Sequence, residues 1–213
     1  EVNKEFCHAG GAANVAKNIN GLGGMTTLVG VVGDDIEGHT LAKLFDQDTR
    51  INQQFIYDKT RRTTIKTRIV SDHQQLIRLD YEDKNFIKEE VGNQIIKRIE
   101  KISLHIDGII IQDYDKGLFS EKLVSWIMAY AKGNDIPVYI DPKNKLYTCF
   151  SGARLFKPNL NEFNYLFGDY DDFSKTLKKV ILDNNFQILL ITKGNKGLSL
   201  CTDQKELNIP AII

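Results

Sequence analysis

The sequence predicts an α/β domain built on a mostly parallel sheet with helices on both faces. Short apolar runs at 26–32 (TTLVGVV), 107–112 (DGIIIQ), 137–141 (PVYID) and 187–192 (QILLIT) have the length and branched-residue content of buried strands. Helical patterns alternate with these runs, which is the order that places strands side by side in parallel. Polar residues follow directly on several runs, at the sheet edge where such folds bind ligands.

The first helix follows the glycine pair Gly10 and Gly11, and its spacing turns Val15, Ile19 and Leu22 inward while Asn14 faces out near its start. After the strand at 26–32, Gly33, Asp34 and Asp35 form a turn able to cap a helix through Phe45, with Ile36, Leu41, Leu44 and Phe45 inward. From 51 to 81 the texture changes to short alternating stretches rich in threonine, arginine and glutamine, which read as a small, half-buried sheet or flap. An amphipathic segment covers 86–102. Ser120 opens a helix to about Lys132, 153–157 is a further strand, and 161–167 and 172–182 are helical. The strand 187–192 ends in the loop TKGNKG, Thr192 to Gly197. The expectation is one incomplete domain over 1–213 with lid strands near 51–81.

With 213 residues and 42% hydrophobic content the chain buries a substantial core. Lysine plus arginine and aspartate plus glutamate each number 28, so the net charge is zero and nucleic acid is an unexpected partner. The cysteines Cys7, Cys149 and Cys201 lie far apart without CxxC spacing, which argues for reduced thiols rather than a disulfide framework or zinc site. No apolar run approaches the roughly 20 residues that span a bilayer, and no leader pattern opens the chain, so the expected location is the cytoplasm, away from membranes. The chain opens on Glu1 and closes on the apolar Ile212 and Ile213, the ends expected of a fragment.

Polar groups follow four strands: Asp113, Tyr114, Asp115 and Lys116; then Asp141, Pro142 and Lys143; then Pro158, Asn159 and Glu162; then Thr192, Lys193 and Gly194. Each set also has a local reading as caps, turns or solvated charge. Their convergence on one rim suits phosphoryl transfer, which needs oriented donors and cations around the moving group. Asn159 and Glu162, spaced N-x-x-E at a helix start, suit a hydrated magnesium ion that takes few protein contacts. TKGNKG offers a hydroxyl, amides and lysines to nucleotide phosphates. Neither GxxxxGK[ST] nor a strand-to-helix GxGxxG occurs, which disfavours a Walker A loop and a nicotinamide enzyme.

These residues resemble the ribokinase-like (PfkB) carbohydrate kinases along nearly the whole chain. GGAANVAKNINGLG at 10–23 is similar to the family's first sugar-binding signature. QQLIRLDYED at 74–83, QDYDKG at 112–117, YIDPK at 139–143 and KPNLNEF at 157–163 most resemble the D-glycero-β-D-manno-heptose 7-phosphate kinase domain of bifunctional ADP-heptose synthases.

The resemblance implies a three-layer α/β/α fold with a small β lid, and an ATP- and Mg2+-dependent kinase acting on the anomeric hydroxyl of a phosphosugar. It implies that Gly10, Gly11 and Asn14 hold sugar hydroxyls, that Arg78 and Lys116 meet the sugar's phosphate, and that Asp113 meets a hydroxyl. Asn159 and Glu162 would organise magnesium, through water, and the ATP phosphates; Thr192, Gly194 and Gly197 would line the nucleotide site. A homodimer through the lid is expected. The family's D-x-x-G-A-G-D segment, whose last aspartate is the catalytic base, would lie beyond Ile213, and the first core strand would precede Glu1. Other expectations are another sugar or nucleoside kinase of the same family, or a non-catalytic sugar- or nucleotide-sensing module.

Overall fold

The computed structural model describes residues 3–71, 74–102, 106–143, 146–168 and 170–212. The chain divides into two compact units: Glu1–Ser103 with Lys116–Leu118, and Leu104–Asp115 with Phe119–Ile213.

The first unit begins with α1 (Gly11–Gly21), β1 (Thr26–Gly33), α2 (Ile36–Lys43) and β2 (Ile51–Asp58). β2 runs parallel to β1, in register from Thr26 opposite Ile51 to Gly33 opposite Asp58. A parallel neighbour cannot be reached by a tight turn, so the connection through α2 is the crossover. The β-rich stretch 51–81 therefore splits. β2 joins β1 because Ile51, Ile56 and Asp58 are buried there, and only β3 (Ile65–Ser71) and β4 (Gln74–Tyr81) form the antiparallel ribbon. That ribbon is not half-buried as expected: β4 is exposed along its whole length and β3 beyond Ile65.

The inward face of α1 also differs from the expectation. Ala13 and Ala16 are buried with Ala9, Leu28, Phe45 and Ile51, while Leu22 is 89% exposed. Small side chains let the α1 backbone lie close against its neighbours, a mode of packing that a search for large apolar residues overlooks. In α2 the expected inward residue Ile36 is 80% exposed. The start of α2 is fixed by polar contacts. The Asp35 carboxylate accepts from the Gly38 amide (2.8 Å), the Thr63 amide (2.7 Å) and the Thr63 hydroxyl (2.6 Å), and Thr63 Oγ1 accepts from the Gly33 amide (2.8 Å). A Cβ on Gly33 would stand 2.3 Å from the Asp35 carboxylate and 2.7 Å from the Thr63 nitrogen, so only glycine fits this junction. The unit closes with α3 (Glu89–Lys101), which buries Val91 and Ile95.

The second unit contains β5 (Ile109–Gln112), α4 (Glu121–Gly133), β6 (Val138–Asp141), β7 (Leu155–Phe156), α5 (Leu160–Phe167), α6 (Phe173–Asn184), β8 (Ile188–Thr192), β9 (Leu198–Cys201) and β10 (Glu206–Ile209). They form one six-stranded sheet in the order β10-β9-β8-β7-β6-β5. β5 to β8 are mutually parallel and β9 and β10 are antiparallel, so the expected mostly parallel sheet acquires an antiparallel hairpin edge. The core beneath is aromatic: Phe150, Phe156 and Phe163 are fully buried, and Phe156 stacks on Phe186 with ring centroids 4.5 Å apart. Burying aromatic rings of this size stabilises the strand ends from below.

Candidate functional site

In the second unit, four parallel strands deliver their carboxyl ends to one rim. Backbone hydrogen bonds tie those ends across the sheet: the Asp113 amide donates to the Asp141 carbonyl (3.0 Å), the Lys157 amide to the Ile140 carbonyl (2.9 Å) and the Thr192 amide to the Pro158 carbonyl (3.2 Å). Above them lies a cavity of ≈ 190 Å³ lined by Gln112, Asp113 and Tyr114 after β5, Asp141, Pro142 and Lys143 after β6, Lys157, Asn159 and Glu162 after β7, and Thr192 of β8. Its volume suits a phosphate group or a hydrated ion, being below the usual range for a whole small-molecule ligand.

The polar groups of this cavity hold one another. Asp141 accepts from Gln112 Nε2 (2.8 Å) and pairs with Lys157 Nζ (3.0 Å). Asp113, only 4% exposed, accepts from the Asp115 amide (2.8 Å) and the Lys143 amide (3.4 Å), so it shapes the loop backbone. Asn159 and Glu162 form a capping box at the start of α5: Asn159 Oδ1 accepts from the Glu162 amide (2.9 Å) and Glu162 Oε2 from the Asn159 amide (2.8 Å). Glu162 Oε1 is left over, 3.9 Å from Lys143 Nζ. Burial, with Asp141 nearby, pushes the Tyr114 hydroxyl up from its ordinary pKa.

Asp113, Asn159, Glu162 and Thr192 thus share one cavity. Gly194 and Gly197 do not line it. They sit in the tight turn between β8 and β9, closed by the Lys193 amide on the Gly197 carbonyl (2.8 Å). Gly197 has φ +83°, and a Cβ there would stand 1.9 Å from the Ile209 carbonyl oxygen, which explains glycine at that position by packing alone. Lys143 and Lys157 bring cationic charge to the cavity without a role assigned from the sequence, although Lys157 directly follows an apolar run and Lys143 comes three residues after Ile140.

The other candidates belong to the first unit. Gly10 is the N-cap of α1, Gly11 has φ +57°, and Asn14 is exposed. No side chain caps this helix and no acidic residue occupies its first turn, so its amides face outward without an internal anion. On the ribbon, the register places Lys66 opposite Asp80 and Arg68 opposite Arg78. Arg78 Nε is 3.1 Å from Asp80, Lys66 is 3.3 Å from Asp80 and 3.8 Å from Glu82, Lys84 is 3.5 Å from Glu82, and Lys116 is 2.7 Å from Glu82. Arg78 and Lys116 are therefore members of one ion-pair chain in which four cations surround two carboxylates. The Lys116 ammonium beside it is the main reason the Glu82 carboxyl is held below its ordinary pKa. Across the ribbon, alternation gathers Ile65, Ile69, Ile77, Leu79 and Tyr81 on the opposite face. A register shift after Ile69 pairs Val70 with Gln75 and leaves Leu76 as the extra residue of β4.

The profile of the pfkB family carbohydrate kinases matches residues 2–213. The chain belongs to the pfkB family. An uncharacterized sugar kinase of Buchnera aphidicola subsp. Schizaphis graminum is 36% identical over 99% of this pfkB chain and 67% of its own length. The bifunctional protein HldE of Hydrogenovibrio crunogenus is 36% identical over 94% of this chain and 41% of its own length. The chain thus spans less than half of that bifunctional relative. Among solved structures, the tetrameric inhibited form of Escherichia coli phosphofructokinase-2 superposes with a TM-score of 0.76 at 18% identity, over 94% of this chain and 67% of the other. The fold is that of the ribokinase-like kinases. Family membership makes this a carbohydrate kinase sequence. Among the described residues no helix is long and apolar enough to cross a membrane, and no cluster of three histidine, cysteine or carboxylate side chains stands ready to hold a metal directly.

Proposed function

We propose that this chain is the sugar-kinase portion of an enzyme that transfers the γ-phosphoryl group of ATP to the anomeric hydroxyl of D-glycero-β-D-manno-heptose 7-phosphate, a step toward ADP-heptose. The observation that carries the reading is the polar face of the ribbon: Lys66, Arg68, Arg78, Lys84 and Lys116 outnumber Asp80 and Glu82 by three charges, an excess that would draw a phosphate dianion. The HldE relatives support the choice of sugar.

In this reading Arg78 and Lys116 hold the existing phosphate, and Gly10, Gly11 and Asn14 hold the sugar hydroxyls. Asp113, whose carboxylate already accepts backbone amides, contributes to the sugar site chiefly by fixing its loop. Lys143 and Lys157 face the nucleotide phosphates with Thr192, and the Gly194–Gly197 turn borders the nucleotide. The donor set fits a water-held magnesium ion, because Glu162 keeps one oxygen outside the capping box and the cavity adds a second carboxylate, Asp141. Bound there, the ion would neutralise charge developing on the transferred group. The reaction is assigned to the cytoplasm, where ATP is supplied, and the apolar face of the ribbon is covered by a second copy of the chain.

The test is a substrate panel on the full-length protein, with products identified by phosphorus NMR. Turnover of heptose 7-phosphate to the 1,7-bisphosphate supports the proposal. ATP consumption with ribose or fructose but not with heptose 7-phosphate assigns the chain to another sugar kinase of the family, and no turnover with any sugar favours a sensing module.

A further inference from the structure

We infer that Arg61 is a positioning residue for phosphosugar binding, acting through Lys116. Arg61 lies just before β3, at the foot of the ribbon. One guanidinium nitrogen, Nη2, donates to the Lys116 carbonyl (2.7 Å) and to the Asp83 carbonyl (3.3 Å), the latter just past β4. A single cation therefore joins the entry strand of the ribbon, its exit strand and the segment that carries the candidate phosphate-binding lysine. Charged donors of this kind make the stronger hydrogen bonds, and guanidinium geometry lets one nitrogen serve two carbonyls at once.

The same segment is gripped from two more sides. Glu82 holds the Lys116 ammonium at 2.7 Å, and the Ile87 amide donates to the Gly117 carbonyl (2.9 Å). Gly117 has φ +69°, and a Cβ there would lie 2.0 Å from the Asn85 carbonyl oxygen, so the backbone beside Lys116 is pressed against the ribbon foot with no room for a side chain at 117. Arg61 takes no part in the ion-pair chain of the ribbon face: its guanidinium donates to backbone carbonyls, and the carboxylate whose pKa it helps to lower is Asp58, outside that chain. Its contribution is to the place of Lys116 rather than to the charge that meets the ligand. Such supporting contacts govern how well a charged group meets its ligand, because small displacements weaken a directional ion pair.

This inference rests on the reading of Lys116 as a phosphate ligand, and a double-mutant cycle separates the two. In the full-length protein, steady-state constants for heptose 7-phosphate and for ATP are measured for Arg61→Met, Lys116→Ala and the double variant. The expected result is an increase of about ten-fold in KM for the phosphosugar with Arg61→Met, no change in KM for ATP, and no further increase when Arg61→Met is added to Lys116→Ala. Arg61→Lys, which restores a cationic donor, recovers part of the loss, and it replaces Arg61→Met in the cycle if the methionine variant melts before assay temperature. Independent, multiplying effects of the two substitutions would overturn the inference while leaving Lys116 as a ligand. An unchanged phosphosugar KM in Lys116→Ala would overturn the reading of Lys116 itself, and the inference with it.

Discussion

Replacing Glu162 by glutamine separates the two jobs that the N-x-x-E spacing can do. In the structure Glu162 Oε2 accepts the Asn159 amide at 2.8 Å, and an amide oxygen can accept the same bond, since glutamine is as good a member of a capping box as glutamate. What the substitution removes is charge. A carboxylate in the first turn of α5 interacts with the helix dipole by about 0.3–1 kcal/mol. The exposed pair with Lys143, 3.9 Å apart, adds at most about 1 kcal/mol and is discounted further by solvent. The expected loss of stability is therefore about 1 kcal/mol, a fall in Tm of about 2–4 °C for a domain of this size. If the spare Oε1 helps to hold a hydrated magnesium ion, the concentration of Mg2+ giving half-maximal activity rises by about 10-fold or more, as with other groups that act on a metal through water. The assay is a magnesium titration at saturating ATP and sugar, paired with thermal melting. A normal magnesium dependence with the same small drop in Tm would refute the metal role and leave Asn159 and Glu162 as a helix cap alone.

Gly197→Ala, placing a Cβ 1.9 Å from the Ile209 carbonyl at φ +83°, should destabilise the β8–β9 hairpin by about 2 kcal/mol or more, read as a lower Tm. Acid should weaken the first unit. The Asp35 carboxyl is raised by burial but lowered further by hydrogen bonds from Thr63 and Gly38, so its net pKa lies below the ordinary value. A depressed folded-state pKa means that its stabilisation is full above the ordinary carboxylate pKa of about 4 and is lost as pH falls through the lowered value. Asp35→Asn should therefore lower Tm at pH 7 and flatten the loss of Tm on acidification, an outcome that parallel melting curves would check. Ile77→Asp, which sets a charge in the apolar face of the ribbon, should shift the full-length protein toward monomer in light-scattering measurements; an unchanged mass would place the dimer contact elsewhere.

Most of the second unit was legible in its sequence because its strands are short apolar runs between helices. In β8 the alternation is visible, with Leu189 and Ile191 wholly buried. The placement of β2 is not legible: INQQFIYD reads as part of the half-buried lid sheet, and only its parallel pairing to β1 explains why Ile51, Ile56 and Asp58 are inside. β9 and β10 are not legible because four-residue edge strands carry little pattern, and their pairing depends on a turn whose glycines also fit a phosphate loop. The inward face of α1 differs from its apolar spacing because alanines, rather than its larger apolar residues, pack inward. At the candidate site, the residues after each strand could be named from the sequence, but their partnerships could not. Asp141 and Lys157 meet only through the β6–β7 register, and the Lys116–Glu82 pair joins residues 34 positions apart (116 − 82). Such pairings are set by tertiary structure, which no local pattern encodes.

The proposed role of the ribbon's cationic face is to read the phosphate of a phosphorylated sugar. Its most direct test is Arg78→Ala in the full-length protein, with KM measured for heptose 7-phosphate and for ATP. The expected result is a rise of about 10-fold or more for the phosphosugar, the scale of a lost charged hydrogen bond, with the ATP value unchanged. Equal losses for both substrates, or none for the sugar, would contradict it.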